Sequence, residues 1–342
     1  MRRLYILIAL MICSVTLSSA QLRFNHSGKL KIVQFTDAHV RTDREDMLQR
    51  TVERLEWVIA TQKPDVVIFT GDVVSGGNAA KGWRAILDPV AKSNTPAIVL
   101  LGNHDLEGNI SATELATLIT SYPNTLNTAT SGVLDDIAIE VLASNSNDVA
   151  ALLYCLDTNS YSTIEGVEGY GWLKHSQVAW YRSVSSSYSE AYGAPLPAYM
   201  FLHIPLPEYH EAATTNANEL VGVRNEEECS PKLNSGMFLA IKEMGDVVAT
   251  FAGHDHNNNY IVPHFGVALC YGHFSGDNTV YNSLYSGVRI IELTEGKRDF
   301  ETWVCDYRQQ SRGKAVDHIL FKSNKGKIKH LKRLAAPLCE SL

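Results

Sequence analysis

A chain of 342 residues that is 45% hydrophobic and 20% charged has the composition of a globular protein with a substantial core, and its length admits one large domain or two ordinary ones. Its formal net charge of −7 excludes a general attraction to nucleic acid or anionic lipid. The 6 cysteines are too sparse for a disulfide scaffold and lack the close CxxC spacing of a thiolate metal site.

In chain order, Arg2 and Arg3 precede the apolar run 4–12, and the segment closes on Leu17-Ser18-Ser19-Ala20. This order predicts a secretory signal peptide over 1–20, cut after Ala20. The apolar run is shorter than the roughly 20 residues a membrane-spanning helix needs. No later run has that length, so the expected product has no transmembrane segment after cleavage and is secreted or periplasmic.

Residues 30–35, 66–69 and 97–101 read as short apolar strands, and 45–61 and 79–91 have helical spacing. The resulting β-α-β-α-β pattern predicts strands buried on both faces. Each strand ends in a polar cluster: Thr36-Asp37-Ala38-His39, Thr70-Gly71-Asp72, and Gly102-Asn103-His104-Asp105. In open α/β sheets the loops beyond the carboxyl ends of strands converge on the site crevice.

Further along, 111–122 reads as a helix, 137–141 and 149–156 as strands joined by a turn at Asn145-Ser146-Asn147-Asp148, and 173–187 as a helix. A strand over 198–202 runs into His203-Ile204-Pro205. Residues 208–230 are polar and aperiodic and are expected to form a long loop. A helix over 232–244 precedes the apolar run 246–252, which arrives at Gly253-His254-Asp255-His256. Residue 262 and segments 267–271, 287–293 and 300–305 complete a mixed or antiparallel set. The segment 308–333 carries nine Lys or Arg and one acidic residue, Asp317, and is expected to be a solvated terminal extension.

Asp37, His39, Asp72, Asn103, His203, His254 and His256 are the donor types that a paired metal site requires. Carboxylates and an amide oxygen suit hard cations, while neutral imidazoles admit Zn, Fe and Mn. A carboxylate such as that of Asp72 offers one oxygen to each of two ions about 3.5 to 4 Å apart. Singly, each residue has a plainer reading. A DxH or GD at a strand end is commonly a cap or turn, Asn103 can satisfy backbone groups, and His203 can pack beside Pro205. That all seven directly follow apolar strands favours a shared site. His210, His264 and His273 are further candidate donors near the pocket.

The blocks FTDAH, FTGDVV, LLGNHD, FLHIP and FAGHDH, in that order, resemble those of the calcineurin-like metallophosphoesterase superfamily. HIPLPEY, CSPKLNSGMF and GHDHNNNY look closest to its small purple-acid-phosphatase-related branch. The resemblance covers 29–305 and implies an α/β fold, a four-layer α/β/β/α sandwich around two mixed sheets. The signal peptide would precede this domain and a basic extension, 306–342, would follow it. By the same resemblance, Asp37, His39 and His256 would hold one metal and Asn103, His203 and His254 the other. Asp72 would bridge them, His104 would face the phosphate, and Asp105 would orient His104. The implied cofactors are two divalent or mixed-valence ions of Mn, Fe or Zn.

The implied reaction is phosphoester hydrolysis by metal-activated hydroxide, with phosphomonoesters favoured over diesters. The expected substrate is a phosphorylated small molecule or a phosphoprotein, with no specific nucleic-acid partner indicated. The alternatives are a phosphodiesterase acting on nucleotides or other small diesters and, outside enzymes, an inactive phosphate-binding protein. One departure stands out: purple acid phosphatases carry a Tyr ligand three residues after the bridging Asp, and here Ser75 occupies that position. That substitution removes a phenolate that would hold iron firmly.

Overall fold

The computed structural model describes residues 21–277, 280–308 and 318–331, so the predicted signal peptide and Cys339 lie outside the described residues. Two seven-stranded mixed sheets form the centre. One runs from edge to edge through Lys327–His330, Ile319–Lys322, Phe300–Asp306, Gly287–Thr294, Lys29–Phe35, Val66–Thr70 and Ala97–Leu100. Its last three strands are parallel and are linked through the helices Glu45–Gln62 and Ala79–Lys92. The other sheet runs Leu22–Arg23, Ile137–Leu142, Val149–Cys155, Ala198–Phe201, Val247–Ala252, Val267–Tyr271 and Ile261–His264. Its four strands from Val149–Cys155 to Val267–Tyr271 are parallel.

Side-chain alternation along each strand builds the layers. Leu30, Ile32, Val66 and Ile68 face the second sheet and pack there with Leu153, Phe201 and Phe251. Their neighbours Val33, Phe35, Val67 and Phe69 point the other way, under Leu48, Leu55 and Val58 of the first helix and Trp83 and Ile86 of the second. The outer face of the second sheet presents Leu152, Tyr154, Met200 and Leu202 to Tyr181, Tyr209 and Phe238 of a second helical layer. The four-layer α/β/β/α sandwich is thus the observed architecture. Each such side chain, fully buried, contributes on the order of 1.5 to 3 kcal/mol. The polar Gln34 survives in this interior because its amide nitrogen, Nε2, donates to Thr70 Oγ1 at 2.9 Å and to Ala252 O at 3.2 Å, which ties the two sheets together.

Three segments depart from expectation. Residues 208–230 are not all loop, since Glu208–Thr215 is a helix that buries Tyr209, Ala212 and Ala213, one apolar edge at helical spacing in a polar stretch. The helix expected over 232–244 is only Met237–Met244, because Gly236 enters it in the left-handed region at φ 80°. Part of the basic stretch is not a solvated extension: Ile319–Lys322 and Lys327–His330 add two strands to the first sheet, with Ile319 and Phe321 buried. Among the described residues no disulfide joins Cys155, Cys229, Cys270 and Cys305, and Cys155, Cys270 and Cys305 are buried. No helix among the described residues is long and apolar enough to cross a membrane.

Candidate metal centre

The seven predicted donors sit at the carboxyl ends of five strands. Asp37 and His39 follow Lys29–Phe35, Asp72 follows Val66–Thr70, and Asn103 follows Ala97–Leu100, which are neighbours in the first sheet. His203 follows Ala198–Phe201, and His254 and His256 follow Val247–Ala252, neighbours in the second. Parallel pairing therefore delivers all five loops to the same end of the sandwich.

There the donors form two nests that share Asp72: Asp37, His39, Asp72 and His256 in one, and Asp72, His203 and His254 in the other, with the ligand atoms of each within 4.8 Å of one another. In the first, His39 Nε2 lies 3.1 Å from His256 Nε2 and 3.5 Å from Asp72 Oδ2, and His256 Nε2 lies 3.7 Å from Asp37 Oδ1. In the second, His203 Nε2 lies 3.2 Å from Asp72 Oδ2 and 3.2 Å from Asn103 Oδ1. All seven residues are buried.

The surrounding hydrogen bonds fix which atoms face inward. His203 Nδ1 donates to Thr70 O at 2.7 Å and His256 Nδ1 donates to Tyr281 O at 3.0 Å, so Nε2 of each ring is the atom presented to the nest. Asn103 Nδ2 donates to Tyr161 Oη at 3.1 Å, which leaves its oxygen on the nest side. Asp37 accepts from Thr36 Oγ1 at 2.7 Å and from the backbone N–H of His254 at 3.0 Å, while Asp72 Oδ1 accepts from the His104 N–H at 2.8 Å. The backbone is bent to serve this arrangement: Asp37, His39, Asp72 and His254 adopt φ of 54°, 43°, 52° and 79°, a region that non-glycine residues seldom enter. Close approach demands glycine at two neighbouring positions. A Cβ on Gly102 would stand 2.2 Å from Asp72 Oδ1, and one on Gly253 would stand 2.0 Å from Thr36 Oγ1.

Electrostatics fits a pair of cations. Burial lowers His39 to about 3, and burial with the nearby His203 holds His254 well below the usual histidine range, so both rings are neutral with lone pairs available. At His203 burial also works against charge, yet Asp72 outweighs it and pushes the group up to about 10. An imidazole Nε2 facing two acceptor oxygens requires positive charge between them, whether a proton or a metal. His254 Nε2 is buried without a hydrogen-bond partner, as a nitrogen reserved for a metal would be. Two carboxylates, an amide oxygen and four imidazoles match Mn, Fe or Zn.

Asp105 takes a different place from the one the sequence suggested. Its carboxylate accepts four backbone N–H groups, from Asp72 at 2.8 Å, Val73 at 2.9 Å, Val74 at 3.0 Å and Gly102 at 2.8 Å, and so clamps the Asp72 loop instead of orienting His104. The partner of His104 is Glu107, whose Oε2 lies 2.6 Å from His104 Nδ1. Glu107 Oε1 in turn accepts from Tyr161 Oη at 3.0 Å. Sequence reasoning missed Glu107, Tyr161 and Tyr281; only Glu107, three residues beyond His104, left a local trace. His210 pairs instead with Glu228 at 3.0 Å, and His264 packs on Phe238 with ring centroids 5.2 Å apart. His273 is buried, donates from Nε2 to Tyr285 O at 2.6 Å and accepts from Asn259 Nδ2 at 3.1 Å.

The consecutive asparagines after His256 bind neighbouring loops to the centre. Asn257 Oδ1 accepts from Ser283 N at 2.6 Å, Asn258 Oδ1 from Asn225 N at 3.0 Å, and Asn259 Oδ1 from Val223 N at 2.8 Å.

A model of the calcineurin-like phosphoesterase family matches residues 30–258. The chain is 30% identical over 321 residues to a protein of Arabidopsis thaliana named "Probable inactive purple acid phosphatase 14", with 83% of this chain and 80% of that one aligned. It is 27% identical over 331 residues to "Phosphatase DCR2" of Saccharomyces cerevisiae, covering 84% of this chain and 56% of that protein. A dimetal phosphatase from Danio rerio shares the fold with a TM-score of 0.55 at 12% identity, over 81% of this chain and 95% of that one.

Proposed function

The chain belongs to the calcineurin-like phosphoesterase family, and on that premise we propose that it hydrolyses phosphate monoesters at a dinuclear metal centre and is exported. The observation that carries this reading is the pair of donor nests sharing Asp72, with His104 at their edge, its ring 5.3 Å from that of His39. Bound there, two cations would neutralise phosphate oxygens and lower the pKa of a water molecule toward about 7. Asp37, His39 and His256 would hold one, Asn103, His203 and His254 the other, and Asp72 both.

The remaining work falls to side chains of this chain. The carboxylate of Glu107 accepts a hydrogen bond from His104 Nδ1–H and thereby turns Nε2 outward. As the water oxygen sheds one proton to solvent and bonds to phosphorus, the ester P–O bond breaks with its electron pair on the alcohol oxygen, and His104 Nε2 supplies the proton that oxygen needs. Monoesters rank above diesters because the plant and budding-yeast relatives above, each aligned over more than four fifths of this chain, are named phosphatases. The word inactive in the plant protein's name describes that protein. Here the seven predicted donors and His104 are all present, with Ser75 the one departure, which favours catalysis over phosphate binding alone.

The test is metal analysis of the purified protein, followed by turnover of phenyl phosphate and diphenyl phosphate after addition of Mn, Zn or Fe. We expect about two ions per chain, faster monoester turnover, and in His104→Ala a rate lowered about 100-fold with the metals retained. Metal bound without turnover of either ester would leave a binding protein. A diester rate about tenfold above the monoester rate would make the chain a phosphodiesterase.

A further inference from the structure

Two tyrosines stand over the metal centre, each pinned to a residue of the site and each about half exposed, Tyr161 at 46% and Tyr281 at 58%. Tyr161 is held by its hydroxyl, which accepts from Asn103 Nδ2 at 3.1 Å and donates to Glu107 Oε1 at 3.0 Å. One side of its ring stacks on Tyr170, with centroids 5.9 Å apart and planes at 23°, and the edge contact of Tyr170 with His254 at 4.2 Å anchors the pair. Tyr281 lies flat on His256, with centroids 4.4 Å apart and planes at 24°. Single exposed apolar residues are ordinary on a protein surface. Two aromatic rings fixed on opposite donor groups of one centre are a different matter, because each offers a π surface already ordered for a ligand.

The side of the centre that holds His104 is where a leaving alcohol would emerge, and Tyr161 is joined to His104 through Glu107. The Glu107 carboxylate places negative charge beside that ring and disfavours a leaving group carrying further phosphates. We propose, resting on the hydrolytic reading above, that the substrates are monoesters of uncharged aromatic alcohols whose ring packs against Tyr161, with Tyr281 closing the opposite side.

The experiment compares benzyl phosphate with cyclohexylmethyl phosphate on the metal-loaded full chain. Their leaving alcohols are of similar size and acidity, so the aromatic face is the main difference between them. The expected kcat/KM favours the benzyl ester by about fivefold, within the range of aromatic pairs. Tyr161→Leu brings the ratio close to unity, and Tyr161→Phe keeps it. Equal kcat/KM for the two esters in the unmodified protein, or an unchanged ratio in Tyr161→Leu, overturns the proposal, and the unmodified ratio decides it even where a variant fails to fold. Calorimetric affinities for benzylphosphonate and cyclohexylmethylphosphonate read the same preference without turnover. Preference for benzylphosphonate with no hydrolysis of either ester upholds the aromatic subsite and sinks the hydrolytic reading. Hydrolysis of both esters at equal kcat/KM, with equal phosphonate affinities, does the reverse. Failure to bind either phosphonate, with no hydrolysis of either ester, sinks both.

Discussion

Positive φ at Asp37, His39, Asp72 and His254 costs on the order of 1 to 3 kcal/mol per residue, so the surrounding bonds must over-determine these turns. Asp105 is the clearest example, since one carboxylate satisfies four buried N–H groups in the loops of Asp72 and Gly102. Asp105→Ala would leave those donors unpaired, and at about 1 to 3 kcal/mol for each buried orphan we expect a loss of at least about 4 kcal/mol. Denaturant unfolding should show that loss and metal analysis a drop in occupancy, with Asp105→Asn in between; unchanged values would mean that water satisfies the donors. The gathering of the seven candidate donors was legible in the sequence because each follows an apolar strand, where a loop must turn and side chains converge. The role of Asp105 was not, because its partners are backbone groups, three of the four more than thirty positions upstream, which leave no mark on side-chain pattern. Tyr161 was equally hidden: it lies 58 residues from Asn103 in an aperiodic stretch, and only the fold brings its hydroxyl to the amide.

Elements with long apolar runs were read closely, as in the strands Lys29–Phe35 and Val66–Thr70 and the helix Glu45–Gln62. The misread ones are short or charged. The helix Glu208–Thr215 has only two turns, and three buried side chains in a polar stretch are too weak a period to recognise. In the basic stretch, lysine density masked the alternation of Ile319 and Phe321, whose burial pairs Ile319–Lys322 with Phe300–Asp306. Lysines suit such a position, since Lys327–His330 is an edge strand and charge there discourages pairing with another chain. Deleting residues 308–342 removes both strands. From the two buried side chains alone we expect about 3 to 6 kcal/mol of destabilisation, seen as a lower urea midpoint. A solvated extension would leave the midpoint where it was.

At the scale of the whole molecule, stability should depend on pH through His273, which burial lowers to about 4 despite its bond to Tyr285 O. The unfolded chain, with a histidine pKa near about 6.5, binds more protons than the folded one between these values, so stability rises with pH across that window. It is fully present above about 6.5 and lost as pH falls toward 4, by up to about 3 kcal/mol. Thermal unfolding of His273→Gln across this range should show a flatter profile than the unmodified chain; parallel profiles would assign the dependence to other groups. The donor set has a consequence of its own. Three of its loops grow from one sheet and two from the other, and Asp72, from the first, faces His203 from the second. A cation held there is a rivet between two halves of the sandwich, added to the packing between them and to directional ties such as that of Gln34 to Ala252 O. Folding and metal supply are then linked by mass action, and the concentration of free metal around the chain sets how firmly this end of the sandwich stays shut.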